Sequence, residues 1–201
     1  MRSFGSWKLV VLASVALSFA AACGPKKYNK KPRPRYDEDE TSESTPRPRA
    51  QESRQGVAAA NTWLTLEGFG AKLRVPQGWN WAQQGVAIVA NEPRASGSFA
   101  FVGAVSDADM GDKLKKAFEV LKINPGQADS EPRKIDLNGA AFVRQDYSRA
   151  QVDGQPAHAI AVAGAAPGRP GGYVILVGFA LFGHESSEED LRDAANSISR
   201  S

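Results

Sequence analysis

Apolar and polar residues alternate in short runs along the chain from Thr62 onward, which is the period of a β-strand. Turn residues such as Gly68, Gly78 and Asn138-Gly139 separate these runs. Short turns between successive runs favour antiparallel pairing. The pattern therefore predicts two blocks of strands, at 62–66, 72–75, 86–90 and 98–105, and then at 133–137, 140–148, 155–163 and 173–182.

Two other segments repeat their apolar residues every three or four positions, which is the period of a helix. The first helix is predicted to begin at a cap formed by Asp107 or Asp109 and to end at Asn124-Pro125-Gly126. The second is predicted to begin with a capping box at Ser186-Ser187-Glu188-Glu189. Their buried stripes are expected to contain Met110, Leu114, Ala117, Phe118 and Leu121 in the first helix, and Leu191, Ala194, Ala195 and Ile198 in the second.

This order of elements predicts an α+β fold for residues 61–201, in which an antiparallel β-sheet packs against two α-helices. The apolar run at 173–182 is expected to form a central strand of that sheet. A domain of about 140 residues buries roughly two-thirds of its unfolded surface, so that it needs no disulfide to be stable.

Several local features form a recognisable combination. They are Leu73-Arg-Val-Pro-x-Gly-Trp79, the middle helix, the strand with Asn138-Gly139 leading to Tyr147, the long strand from Tyr173, and the final helix that ends in Ala-Asn-Ser-Ile-Ser at 195–199. Together they resemble the PsbP/Mog1-like α/β sandwich family. The resemblance covers about residues 65–200 and implies an adaptor or assembly protein attached to a membrane or a larger complex, generally without catalysis. No metal- or partner-binding motif of the family matches here, so the resemblance implies no site residue.

Residues 1–22 have the three parts of a secretory signal peptide. Arg2 and Lys8 supply positive charge, residues 9–20 are largely apolar, and small residues follow up to Ala22. An apolar run of about 12 residues is too short for a membrane-spanning helix, which needs about 20. We expect cleavage between Ala22 and Cys23.

Cys23 is the only cysteine in the chain and directly follows these small residues. The segment resembles the lipobox of bacterial lipoproteins, although the family prefers leucine at the position of Ala20. The resemblance implies that Cys23 is lipidated and that its acyl chains anchor the protein in a lipid bilayer. Glycine at position 24, directly after the cysteine, resembles the sorting signal for the outer membrane. We therefore expect a lipid-anchored protein of the cell envelope. The alternative is a secreted protein cut at Ala-x-Ala, with a free thiol.

Residues 23–60 are predicted to form a lipidated N-terminus followed by a disordered tether. This stretch is rich in charged residues, proline and serine and has few large apolar side chains, so it cannot bury enough surface to fold. Its basic blocks indicate attraction to an anionic surface. The alternative is a soluble spacer in which the basic and acidic blocks partly neutralise each other. Residues 61–201 contain 14 basic and 16 acidic residues, so the domain lacks the positive charge of a nucleic-acid-binding protein.

The two histidines of the chain, His158 and His184, are the candidate catalytic or metal-binding residues. His158 would need a nucleophile and an orienting acid, and the chain has no Gly-x-Ser-x-Gly elbow. His184 lies close to Glu185, Glu188 and Glu189, and such side chains suit a divalent metal. Helix capping accounts for the glutamates as well. The sequence therefore predicts no catalytic residue, no metal site and no cofactor.

Aromatic side chains at Trp63, Trp79 and Trp81 are candidates for stacking on a sugar or a peptide ring. Trp79 and Trp81 lie two residues apart, so an extended chain places both indoles on one face. We take this pair as the candidate ligand platform, and packing in the core or at a sheet edge is the alternative.

These observations predict a lipid-anchored, non-enzymatic protein of the cell envelope that binds a protein partner or a cell-wall polymer as an assembly module. The alternative functions on the same anchor are a periplasmic hydrolase that uses His158 or His184, and a carrier of a small molecule or metal.

Overall fold

The computed structural model describes residues 53–201, which contain twelve strands and two helices. The helices are α1 (Asp107–Val120) and α2 (Glu185–Asn196). The strands are β1 (Arg54–Val57), β2 (Thr62–Leu66), β3 (Ala71–Val75), β4 (Asn80–Gln84), β5 (Ala87–Asn91), β6 (Gly97–Ala104), β7 (Ile123–Asn124), β8 (Arg133–Leu137), β9 (Ala140–Val152), β10 (Gln155–Ala165), β11 (Tyr173–Leu181) and β12 (Ser199–Arg200).

The strands form two antiparallel sheets. The large sheet has nine strands in the order β1-β4-β5-β6-β11-β10-β9-β7, with β8 also paired to β9. The small sheet has the order β12-β3-β2. The apolar strand β11 lies between β6 and β10 in the large sheet, so its prediction as a central strand is confirmed.

Both faces of the large sheet are covered, because successive side chains of β11 belong to different apolar clusters. Val174 and Leu176 belong to an apolar cluster that also contains Leu191 of α2 and the inward side chains of β2 and β3. Ile175 and Val177 point to the other face and belong to a second cluster, which contains residues of α1. The helices therefore pack on opposite faces of the large sheet, and the small sheet lies on the α2 side.

The predicted α+β class, with an antiparallel sheet and two helices, is confirmed. The second sheet was not predicted. Leu64 and Leu66 of β2 alternate with polar residues, and this pattern fits any sheet with one buried face. Periodicity identifies the buried face of a strand but not the sheet to which the strand belongs.

The predicted boundary between the tether and the domain, at residues 60 and 61, is wrong. β1 pairs with β4 along four residues, and the buried Ala58 donates its backbone N–H to the carbonyl oxygen of Trp79 at 2.8 Å. A Cβ atom at Gly56 would lie 3.3 Å from the Trp81 ring. β1 is short and mostly polar, so it lacks a hydrophobic pattern. Backbone hydrogen bonds to β4 are the main interactions that keep it in place. The signal peptide, Ala22 and Cys23 lie outside the described residues.

Both predicted helix starts differ from the structure. The N-cap of α1 is Ser106, whose hydroxyl oxygen accepts a hydrogen bond from the Asp109 backbone N–H at 3.3 Å. The N-cap of α2 is His184, which makes no side-chain capping hydrogen bond. The predicted capping box at 186–189 is therefore wrong. Ser187 lies inside the helix and is buried. Its hydroxyl forms a hydrogen bond of 2.7 Å with the hydroxyl of Ser96, a residue far away in the sequence, and does not cap the helix.

In residues 53–201, neither helix has the combination of length and apolar content that a bilayer-spanning helix needs.

Candidate functional site

The outer face of the small sheet presents an exposed tryptophan. Leu64, Leu66 and Leu73 point inward and are buried, so the residues between them point away from the core. Trp63 is 46% exposed, which distinguishes it from the buried aromatic residues of the core. We call this outer surface the Trp63 face, and its members are Trp63, Thr65, Lys72, Arg74 and Ser199.

Two cations on the neighbouring strand β3 share the Trp63 face with the indole. Arg74 lies directly opposite Trp63 in the register of β2 and β3, and Lys72 lies diagonally across from it. The Lys72 ammonium is 5.4 Å from the centre of the Trp63 ring, within the range of a cation–π interaction. The Arg74 guanidinium lies 3.5 Å from a carboxylate oxygen of Asp193 on α2, and both side chains are about half exposed. The face therefore combines a flat aromatic surface with positive charge.

The strand that carries Trp63 is held firmly at its free edge. The side-chain amide of Gln83 on β4 donates a hydrogen bond to the carbonyl oxygen of Thr65 at 3.0 Å. The same end of β2 lies near β1, where Arg54 and Glu67 form an exposed ion pair at 3.7 Å. Exposed ion pairs of this kind contribute little stability. Gln83 is nearly buried, so its hydrogen bond is the stronger restraint on the position of β2.

The predicted ligand platform of Trp79 and Trp81 is wrong for Trp79. Trp79 is 1% exposed, its ring lies 5.7 Å from that of Phe99, and its indole N–H donates to a carboxylate oxygen of Asp190 at 3.0 Å. Trp81 is partly buried against the same apolar cluster. Both indoles thus contribute to the core. Alternation correctly places a side chain on a face of a strand, but it does not tell whether another layer covers that face.

Lys72 and Arg74 were missed as functional candidates in the sequence. Their signal is the alternation within β3, where Lys72 and Arg74 are the polar residues between buried ones. The pairing of β3 with β2, which brings these cations beside Trp63, is a long-range feature that periodicity does not reveal.

A second polar site surrounds His158. A pocket of about 60 Å³ is lined by side chains from β9, β10, α2 and the loop before β8, among them Asp129, Arg144, Asp146, Ser148, His158, Glu188 and Arg192. His158 lies at an irregularity in the pairing of β10 with β9, and its ring lies 4.4 Å from the exposed ring of Phe182. The pocket is small and charged.

The arginine–carboxylate pairs of this pocket are partly buried. Asp146 accepts hydrogen bonds from Arg144 at 2.6 and 2.9 Å and from Arg133 at 2.7 Å. Burial raises the pKa of Asp146, but the hydrogen bonds and charges of Arg144 and Arg133 outweigh burial and hold the pKa below its usual value. Asp146 is therefore ionised at neutral pH, and both of its carboxylate oxygens accept hydrogen bonds from arginine.

Ser148, His158 and Asp129 lie in one pocket, but their hydrogen bonds differ from those of a catalytic triad. The Ser148 hydroxyl donates to Asp129 at 2.6 Å, and the Ser148 backbone N–H donates to the same carboxylate. These hydrogen bonds are the main cause of the lowered pKa of Asp129. In a triad the serine donates to the histidine, which donates to the acid. Here the serine is bonded directly to the acid.

His184 lies at the exposed start of α2, and the structure does not bring it together with His158 in the pocket. Among residues 53–201, no cluster of three or more histidine, cysteine, aspartate or glutamate side chains has the geometry of a metal site.

Comparison with known proteins gives no family assignment. No family model matches the chain, and no curated protein matches it. Its fold is similar to the solution structure of cyanobacterial PsbP (CyanoP) from Synechocystis sp. PCC 6803, with a TM-score of 0.44, 12% identity, and coverage of 80% of this chain and 99% of that one. It is also similar to the crystal structure of LpqN, involved in cell envelope biogenesis, of Mycobacterium tuberculosis, with a TM-score of 0.33, 15% identity, and coverage of 78% and 86%. At these scores neither likeness assigns a family or a function.

Proposed function

We propose that this chain is a lipid-anchored, non-enzymatic binding module of the cell envelope that engages a protein or an envelope polymer through the Trp63 face. The observation that carries the proposal is the exposed indole of Trp63, which lies on a sheet face beside the strand that carries Lys72 and Arg74. Large exposed aromatic and arginine side chains are the types that dominate binding energy at interfaces. No other face of the described domain combines an exposed tryptophan with cations.

The anchor in this proposal is Cys23, acylated after cleavage behind Ala22, with the outer membrane as the expected location. The sequence pattern of a signal peptide, small residues and a lone cysteine supports it. Residues 24–53 then separate the anchored cysteine from β1. At about 3.3–3.6 Å per residue, about 30 residues reach at most roughly 100 Å, which under this proposal limits the distance from the domain to the bilayer.

In-cell photo-crosslinking tests this function. A photo-reactive aromatic amino acid, which keeps a ring at the substituted position, replaces Trp63 in one version of the full chain and Val120 in a control version. Val120 is exposed on α1, on the opposite side of the domain. We expect crosslinked products from position 63 alone, and we expect them to disappear when the chain also carries Cys23→Ser.

Two outcomes would contradict parts of this proposal. Equal crosslinking from positions 63 and 120 would rule out the Trp63 face as the binding surface. Crosslinks from position 63 that persist with Cys23→Ser would separate binding from the lipid anchor.

A hydrolase at the His158 pocket is the second candidate function. The observation in its favour is that His158 lines a pocket together with Ser148 and with the carboxylates of Asp129 and Glu188. The hydrogen bond from Ser148 to Asp129 and the volume of about 60 Å³ weigh against it. A pocket for a drug-sized ligand has roughly 300–1,000 Å³.

Ester hydrolysis by the full chain and by its His158→Ala and Ser148→Ala variants distinguishes the two functions. Under our proposal all three proteins hydrolyse a nitrophenyl ester at the same background rate. A loss of rate in both variants, with folding retained in circular dichroism, would favour the hydrolase.

A further inference from the structure

We infer that the Trp63 face binds an acidic sugar polymer, a glycan whose rings carry carboxylate or phosphate groups. The inference rests on the proposed function, since it names the class of ligand for the same face. It combines two features that the face places side by side, an exposed aromatic ring and the positive charge of Lys72, which has no ion-pair partner among the described residues.

The ring provides the stacking surface for a sugar. Trp63 is 46% exposed on a sheet whose inward residues are buried, so its indole lies on the outer surface of the small sheet. The hydroxyl-bearing residues Thr65 and Ser199 both lie opposite Lys72 in neighbouring strands. Hydroxyls on the same face as an aromatic ring offer hydrogen bonds to a ligand that has both apolar and polar edges.

The cations provide the charge complementarity. Lys72 makes no ion pair with a carboxylate in the part of the chain that the structure describes, and its ammonium lies over the Trp63 ring. Arg74 is paired with Asp193, but at 3.5 Å and with both side chains exposed. A surface pair of this kind is weak, so an anionic ligand can compete for Arg74. This positive charge lies on a domain that contains more acidic than basic residues.

The composition of the face favours a polymer over a bilayer. A bilayer interface takes up apolar side chains that extend beyond the protein surface, with basic residues around them. On the Trp63 face the neighbours of the indole are polar or charged, and it has no second exposed large apolar side chain. A single ring beside two cations is better matched to one anionic sugar than to a hydrocarbon layer.

Calorimetric titration of the full chain carrying Cys23→Ser, which cannot be acylated at this position, tests the inference. The probe is a short oligogalacturonate, whose sugar rings each carry a carboxylate. A maltooligosaccharide of the same length provides rings without charge, and inorganic polyphosphate provides charge without rings. Phosphatidylglycerol vesicles provide an anionic lipid surface.

We expect oligogalacturonate to bind more tightly than the other three probes. Trp63→Ala should weaken its affinity about tenfold through the loss of stacking. Lys72→Ala should weaken it as well and should reduce its dependence on salt. Lys116→Ala, which removes an exposed charge from α1 on the other side of the domain, is the matched control and should leave the affinity unchanged.

Several results would overturn the inference. They are an absence of oligogalacturonate binding, binding that Trp63→Ala does not change, equal binding of polyphosphate or maltooligosaccharide, and Trp63-dependent binding of the vesicles. If oligogalacturonate fails to bind but position 63 still crosslinks one protein in cells, the inference fails and the proposed function stands. If both experiments fail, the proposed function fails too.

Discussion

At the scale of single residues, Trp79 and Trp63 have opposite roles. Trp79 fills the core and holds α2 through its hydrogen bond to Asp190, whereas Trp63 lies exposed on the small sheet. Trp79→Ala should lower the free energy of unfolding by about 3–5 kcal/mol because it leaves a large cavity. Trp63→Ala is the control and should change it by less than about 1 kcal/mol. Urea denaturation measures both, and equal effects would contradict this assignment.

Asp146 gives the protein a predictable response to acid. Because its pKa is lowered in the folded state, the stability that it contributes is complete above its unfolded pKa. That contribution disappears as the pH falls through the folded pKa, which lies below the ordinary value of 3.8. Asp146→Asn should therefore lower the free energy of unfolding by about 1–3 kcal/mol at neutral pH.

The difference between wild type and Asp146→Asn should narrow as the pH falls below the ordinary pKa of the carboxyl group. Urea denaturation over a range of pH measures this change. Asp153→Asn is the matched control, because its ion pair with Lys122 is exposed and should contribute little. A difference between wild type and Asp146→Asn that does not depend on pH would contradict the role of the Asp146 carboxylate.

At the scale of elements, α2 packs closely against β11 at Gly178. A Cβ atom at this position would collide with the side chain of Leu191 and would lie 2.9 Å from the Cβ of Phe99. Gly178→Ala should therefore lower the free energy of unfolding by about 1–3 kcal/mol through overpacking. Gly111→Ala is the control. Gly111 lies in α1 with open space around it, so alanine there should stabilise the helix by about 0.5–1 kcal/mol.

Thermal unfolding of the two glycine variants measures this contrast. A shift in the same direction for Gly178→Ala and Gly111→Ala would show that close packing of α2 on β11 is not the determining factor.

Elements with a strong pattern of their own could be predicted from the sequence. The apolar strand at 173–182 is one example, because burial of both its faces makes it apolar throughout. The helical stripe that contains Leu191 and Ala194 is another, because only one face of that helix is buried. β1 could not be predicted, since its pairing with β4 depends on backbone hydrogen bonds that any sequence can make. The start of α2 could not be predicted either. Ser187 resembles a capping residue in the sequence, but its hydroxyl bonds to Ser96, which is 91 positions away.

The candidate site was predictable only in part. Trp63 was recognised as an aromatic candidate, but Trp79 and Trp81 had the stronger local pattern. Whether each tryptophan is exposed depends on which layer covers its strand, and that is decided by the packing of the small sheet against the large one. The cations Lys72 and Arg74 reach Trp63 only through the register of β2 and β3.

At the scale of the whole molecule, the position of the domain boundary has a measurable effect. A chain that begins at residue 61 lacks β1 and the buried Ala58, and it exposes the Trp81 ring and the edge of β4. We expect residues 61–201 to unfold at a lower urea concentration than residues 53–201, because four backbone pairs and buried apolar surface are lost. Equal midpoints would indicate that β1 adds nothing to the stability of the fold.

The N-terminal segment joins the domain at Arg54, the first residue of an edge strand. Any mechanical load on that segment therefore enters the fold through β1. The force would act first on the four residues that pair with β4. It would reach the apolar clusters only after β1 has separated. We therefore expect β1 to separate from β4 before the two apolar clusters open.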